Sequence, residues 1–195
     1  MQTKKFLSLL LALVMMFSLA VTASAEEAAK PLEGQIVILH TNDVHGAIAG
    51  YAKVAALKAA YEEAGADVLL LDAGDYIQGD PTVSVSQGKT AIELMNMAGY
   101  DAATIGNHEF DYGYPNFKEI SKNADFPIVS ANLSYNGKVE SAHTVFTAPG
   151  GEKIGVFGLT TPEVSTKAHP AKIKGVSVLA QEKMFDCAQK EVDAL

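Results

Sequence analysis

The stretch Val68-Leu69-Leu70-Leu71-Asp72-Ala73-Gly74-Asp75 passes from four apolar residues directly into a loop bearing two carboxylates. A short apolar run closed by a glycine turn reads as a buried strand. The pattern recurs on either side. Upstream, Ile36-Val37-Ile38-Leu39 precedes Asn42-Asp43-Val44-His45-Gly46, and downstream Ala102-Ala103-Thr104-Ile105 precedes Gly106-Asn107-His108-Glu109. Neighbouring strands of a parallel α/β sheet end side by side, so polar residues far apart in sequence converge on a crevice above their carboxyl ends.

Helices fill the intervals. Tyr51, Val54, Leu57 and Tyr61 recur at helical spacing in an alanine-rich stretch that stops at Gly65. Thr90 and Glu93 have capping-box spacing for a second helix that buries Ile92, Leu94, Met95 and Ala98 before Gly99. Pro115 suits the first position of a third, with Phe117 and Ile120 on one face. Further strands are expected at Ile128-Val129-Ser130-Ala131, His143 to Thr147 and Ile154 to Leu159. Met184, Ala188, Val192 and Leu195 mark a last helix with Cys187 on its apolar side. Alternation of this kind predicts an α/β fold with a largely parallel sheet.

At the N-terminus, Lys4 and Lys5 precede an uncharged run from Phe6 to Ala25 that closes on Ala23-Ser24-Ala25. That layout is a secretory signal peptide, 1–25, cleaved after Ala25; residues 26–34 form a tail and 35–195 the domain. No stable membrane span is expected after cleavage. A lone Cys187 cannot form an internal disulfide, which fits export to a bacterial periplasm, envelope or medium. Once Lys4 and Lys5 leave, 13 lysines face 23 carboxylates, a net charge of −10, and there is no arginine. This composition argues against a basic nucleic-acid groove and supplies no guanidinium to grip a phosphate. If the substrate is anionic, bound cations must supply most of the attraction. Nothing in the sequence specifies an oligomeric state.

Asp43, Asp75 and Asn107 offer oxygens and His45 an imidazole nitrogen, a set that suits Zn, Mn, Fe or Co better than Ca. On an extended backbone, the two-residue spacing of Asp43 and His45 puts both side chains on one side. Gly46, Gly74 and Gly106 leave room beside these donors. Asp72 is expected to tie its own loop by hydrogen bonds, Glu109 to stand behind the ligands or cap a helix, and Gln78-Gly79-Asp80-Pro81 to form a structural turn. His40, His143 and His169 read as ordinary loop or surface histidines.

Three strings carry a resemblance: His40-Thr41-Asn42-Asp43-Val44-His45-Gly46, Asp72-Ala73-Gly74-Asp75 and Gly106-Asn107-His108-Glu109-Phe110-Asp111-Tyr112-Gly113. They closely resemble the calcineurin-like metallophosphoesterases, in the secreted branch of 5'-nucleotidases, 2',3'-cyclic-nucleotide phosphodiesterases and UDP-sugar hydrolases. Lys153 to Glu163 is similar to that branch's next strand and turn. The resemblance implies a four-layer α/β sandwich, two mixed β-sheets flanked by helices, of which this chain is the N-terminal part, truncated on its C-terminal side. It implies two divalent metal ions, with Asp43 and His45 on the first, Asp75 bridging and Asn107 on the second. His108, paired with Asp111, becomes the catalytic dyad that assists departure of the leaving group. A hydroxide shared by the metals attacks phosphorus in a nucleotide or other small phosphoester.

The family also uses three later metal-binding histidines and a C-terminal domain that recognises the nucleoside base, neither of which precedes Leu195. The chain is therefore expected to be part of a longer reading frame and inactive alone. Two alternatives stand beside this reading. One is a non-catalytic secreted binding or adhesion module on the same scaffold. The other is a metallophosphoesterase for non-nucleotide substrates.

Overall fold

Along β2 (Asp67–Asp72), Leu70 and Asp72 are buried while Leu69 and Leu71 are only half covered, so the strand has a sealed face and a more open one. A computed structural model describes residues 30–195, and the expected signal peptide lies outside the described residues. Strand β2 is central in a parallel sheet ordered β1-β2-β3. β1 (Ile36–Thr41) lies in register with it from Ile36 opposite Asp67 to Thr41 opposite Asp72. β3 (Ala102–Ala103) meets only its last two residues, Leu71 and Asp72. All three strands point the same way, which brings their following loops together.

The sealed face packs under helices α1 (Ile48–Glu63), α2 (Pro81–Val85), α3 (Lys89–Ala98) and α4 (Tyr114–Ile120). Tyr76, Ile92, Met95, Phe110 and Tyr114 are wholly buried there beside Leu70. Such complete burial of large side chains contributes roughly 1.5–3 kcal/mol each. Helix α3 ends at left-handed Gly99 as expected, but its start differs. The cap is Gly88, and the Thr90 N–H donates to Ser86 Oγ at 3.0 Å, so the Thr90–Glu93 box does not form. In α4, Gly113 is the cap and Pro115 the second helical residue.

The expected strand at Ile128–Ala131 reduces to one parallel bridge between Ile128 and Ala103. Its amides are spent on three different segments: Val129 on Ala103, Ser130 on Ser141 and Ala131 on Gly158. No single partner strand can satisfy that geometry.

The second half is antiparallel, which corrects the expectation of a largely parallel sheet. β4 (Leu133–Tyr135) and β5 (Lys138–Val139) form a hairpin through Asn136-Gly137, whose φ values of 50° and 78° are those of a type I′ turn. β6 (His143–Thr147) and β7 (Lys153–Phe157) form a second hairpin. After α5 (Val164–Lys167), β8 (Val176–Val178) joins the free edge of β4, followed by α6 (Met184–Ala194). Parallel strands need long crossovers, and connections of a few residues leave only the antiparallel arrangement. The result is a mixed α/β fold with several sheets.

On α6, Glu191 is buried while Phe185 is 76% and Val192 57% exposed, so the expected apolar face is only partly covered. Cys187 is half-buried rather than a core residue. Among the described residues, no helix is long and apolar enough to cross a membrane.

Candidate metal centre

The loop leaving the central strand is the hub of the site because β2 has a neighbour on each side. Asp43 N–H donates to the Gly74 carbonyl at 3.1 Å and His45 N–H to the Asp75 carbonyl at 3.0 Å, so the first loop hangs on the second. His108 N–H donates to Asp75 Oδ1 at 2.7 Å, which fastens the third. A Cβ on Gly74 would fall 2.5 Å from the Gly106 nitrogen, and one on Gly106 would overlap the Asp75 carboxylate. The glycines are thus needed for the approach of loop to loop, a reason more specific than room beside a ligand.

Three donor residues are held in left-handed backbone: Asp43 at φ 51°, His45 at φ 48° and Asp75 at φ 64°. This region is uncommon for residues with a side chain and clusters at functional sites. The extended spacing expected for Asp43 and His45 is therefore not what brings them together. They face each other from a tight turn, His45 Nε2 lying 3.6 Å from Asp43 Oδ1.

His45, Asp75 and His108 each offer a ligand atom within 4.8 Å of the other two, an arrangement that could hold a metal ion. The two imidazoles stand edge to face, with centroids 5.0 Å apart. His108 Nδ1 lies 2.8 Å from Asp111 Oδ2. An ionised carboxylate only accepts, so Nδ1–H donates and Nε2 remains free for a cation or a substrate. His45 Nδ1 pairs with the Gln78 side-chain amide at 2.9 Å, a partner the sequence reading missed because it saw only a turn there. Asn107 sits between Gly106 and His108, whose N–H groups are fixed by Glu109 and Asp75 respectively. Of the expected residues, the fold gathers His45, Asp75 and the His108–Asp111 pair, with Asp43 beside His45; Asn107 shares the same loop.

Two buried carboxylates lie beneath. Asp72 Oδ1 accepts the Gly74 N–H at 2.8 Å and Oδ2 accepts the Thr41 hydroxyl, leaving the Tyr100 hydroxyl to donate to Thr41 at 2.8 Å. Asp72 thus ties its own loop as the sequence suggested. Burial pushes its carboxyl up to about 6, against the lowering effect of those hydrogen bonds. Glu109 is fully buried; Oε2 accepts from Asp75 N at 2.8 Å and Gly106 N at 2.7 Å, and Oε1 from Tyr76 N at 2.9 Å. Burial lifts its carboxyl to about 7. Asp80 caps α2 by accepting from Thr82 N at 2.9 Å, the structural role expected of its turn.

The profile of the calcineurin-like phosphoesterase family matches residues 36–186. A snake venom 5'-nucleotidase from Gloydius brevicauda is 36% identical over 163 residues, which cover 70% of this chain and 27% of that protein. The 5'-nucleotidase of Bos taurus is 33% identical over 201 residues, covering 91% of this chain and 34% of its own length. Among solved structures, a 5'-nucleotidase precursor from Thermus thermophilus superposes with a TM-score of 0.69 at 30% identity, over 81% of this chain and 34% of that one. The chain spans about a third of the length of these curated relatives or less. A match that begins in β1, passes through all three strand-end loops and reaches α6 makes this chain a member of the calcineurin-like phosphoesterase family.

Proposed function

We propose that this chain supplies much of the metal-binding and proton-donating machinery of an exported hydrolase for nucleotide phosphoesters. The observation that carries the reading is the meeting of His45, Asp75 and His108 within 4.8 Å at the ends of adjacent strands. Nitrogen and oxygen donors in one place fit Zn, Mn, Fe or Co. Asp43 and His45 would hold one cation, Asp75 two in common, and Asn107 the second. When bound, divalent cations supply charge to the phosphoryl oxygens and lower the pKa of water for attack on phosphorus.

The chain's own residues do the rest. The His108–Asp111 pair keeps the His108 proton on Nδ1 and orients Nε2. In its protonated state, His108 would give the Nε2 proton to the departing ester oxygen, and the Asp111 carboxylate would stabilise the imidazolium. A donor at that point neutralises charge as it develops on the leaving group, which matters most for a poor leaving group such as a nucleoside alkoxide. This chain has no arginine, so its own contribution to holding the phosphate would be made through the cations. The 5'-nucleotidase relatives favour a nucleotide as substrate, and the signal-like N-terminus favours activity outside the cytoplasm.

Turnover is assigned to a protein in which further ligands accompany this chain, and the chain alone is expected to be inactive. Phosphate release from AMP in Mn2+ tests both points, on this chain and on an extended protein that carries the further ligands. The extended protein should release phosphate, and His108→Ala should slow it about 10²–10⁴-fold. Rapid hydrolysis by the short chain would overturn the incompleteness. An extended protein that binds Mn2+ but releases no phosphate would favour a binding module.

A further inference from the structure

We propose that Glu109 is a positioning residue that holds the Asp75 and Asn107 loops in a cation-receiving arrangement before any cation arrives. The role rests on the metal-dependent reading above. A carboxylate taken wholly out of water is costly unless its oxygens are satisfied. Glu109 has three backbone donors: Asp75 N, Tyr76 N and Gly106 N, at 2.7–2.9 Å. Only the Gly106 contact is local. The other two reach 34 and 33 residues back in sequence, so this is a clasp between loops and not the cap of a helix.

What the clasp holds is the backbone on which the donors stand. Asp75 sits at φ 64° beside Gly74 at φ 104°, an arrangement that relaxes unless its amides are fixed. Asp72 takes the Gly74 N–H, so three consecutive amides, Gly74, Asp75 and Tyr76, end on two buried carboxylates. From that anchored segment the Asp75 carbonyl fixes His45 N and the Asp75 carboxylate fixes His108 N. Asn107 lies between the Gly106 amide bound to Glu109 and the His108 amide bound to Asp75. Releasing Glu109 frees both loops at once. Substituting glutamine preserves the shape but presents an NH2 to one of three N–H groups, so at least one bond is lost.

The test compares Mn2+ titration calorimetry of the wild-type chain, Glu109→Gln and Asn132→Ala. Asn132 belongs to a buried network with Ser130 and Thr160, remote in connectivity from these loops, so its loss reports destabilisation alone. Glu109→Gln is expected to weaken Mn2+ binding about 10–100-fold. Asn132→Ala should lower the melting temperature and keep the wild-type affinity. Unchanged affinity in Glu109→Gln, or an equal loss in Asn132→Ala, overturns the role. If Glu109→Gln does not fold, hydrogen exchange of the wild-type protein in EDTA decides. Protected amides at Asp75, Tyr76 and Gly106 support a clasp formed without metal, and exchange at intrinsic rates overturns it. If the wild-type chain takes up no Mn2+, the same comparison is made on the protein that carries the further ligands, and no uptake there sinks the metal reading and this role with it. Normal wild-type uptake beside an unaffected variant sinks the role alone.

Discussion

Glu109 and Glu191 are both buried acids, but their surroundings differ. Glu109 has three backbone donors and lies beside a packed aromatic cluster in which Phe110 stacks on Tyr114 at 5.4 Å. Glu191 has His143 Nδ1 at 2.7 Å as its partner, on a helix that turns Phe185 and Val192 outward. The first region satisfies its buried acid from backbone N–H groups and hides its large side chains, while leaving the buried Tyr51, Tyr76 and Tyr114 hydroxyls without a hydrogen-bond partner. The second hides an acid and shows its hydrophobes. Close packing is therefore concentrated around the parallel sheet, and the last helix presents apolar side chains to solvent.

The strongest way to break this contrast is Phe110→Ala. Removing a wholly buried aromatic should cost about 3–5 kcal/mol in urea unfolding. A loss below about 1 kcal/mol would show that the cluster is not close-packed.

The next effect is one of pH and concerns Asp72. Its folded carboxyl is raised from 3.8 to about 6, so between those values the native state binds protons that the unfolded chain has released. Stability measured in EDTA should thus be greatest below pH 4 as far as this group is concerned. It should fall as pH rises toward about 6 and be flat beyond, a change on the order of 3 kcal/mol. Asp72→Asn should remove this group's share of the slope and leave that of Glu109, whose carboxyl is raised from 4.5 to about 7. A slope unchanged by the substitution would assign it to another group.

The smallest effect belongs to α6. Phe185→Ser should alter unfolding free energy by no more than about 0.5 kcal/mol, because the ring is already in water. A larger loss would place the helix on the packed side of the comparison.

How far the sequence could be read follows the same division. β1 and β2 were legible because each is a run of apolar residues between turn-formers, and the donor loops because they follow such runs directly. β4, β5 and β8 were not, being two or three residues long, and β8 finds its partner β4 only in a distant segment. A signal did exist in Asn136-Gly137, the dipeptide that supplies two left-handed residues to a hairpin. Thr90 and Glu93 had the right spacing for a capping box, but Ser86 already served the Thr90 amide. At the site, residue types revealed the donors and His108–Asp111, whereas Gln78 and the full reach of Glu109 depend on contacts 33 or 34 positions apart. No periodicity encodes those.

The left-handed backbone at Asp43, His45 and Asp75 has a practical consequence for anyone engineering this chain. Glycine occupies that conformation without the strain of on the order of 1 kcal/mol or more that a side chain incurs. Selection for heat resistance alone would thus favour glycine at Asp43 and His45, whereas Asp75 also fastens the His108 loop, and the hardier scaffold would have lost two of its donors. A stabilising screen should therefore retain only clones that still take up manganese.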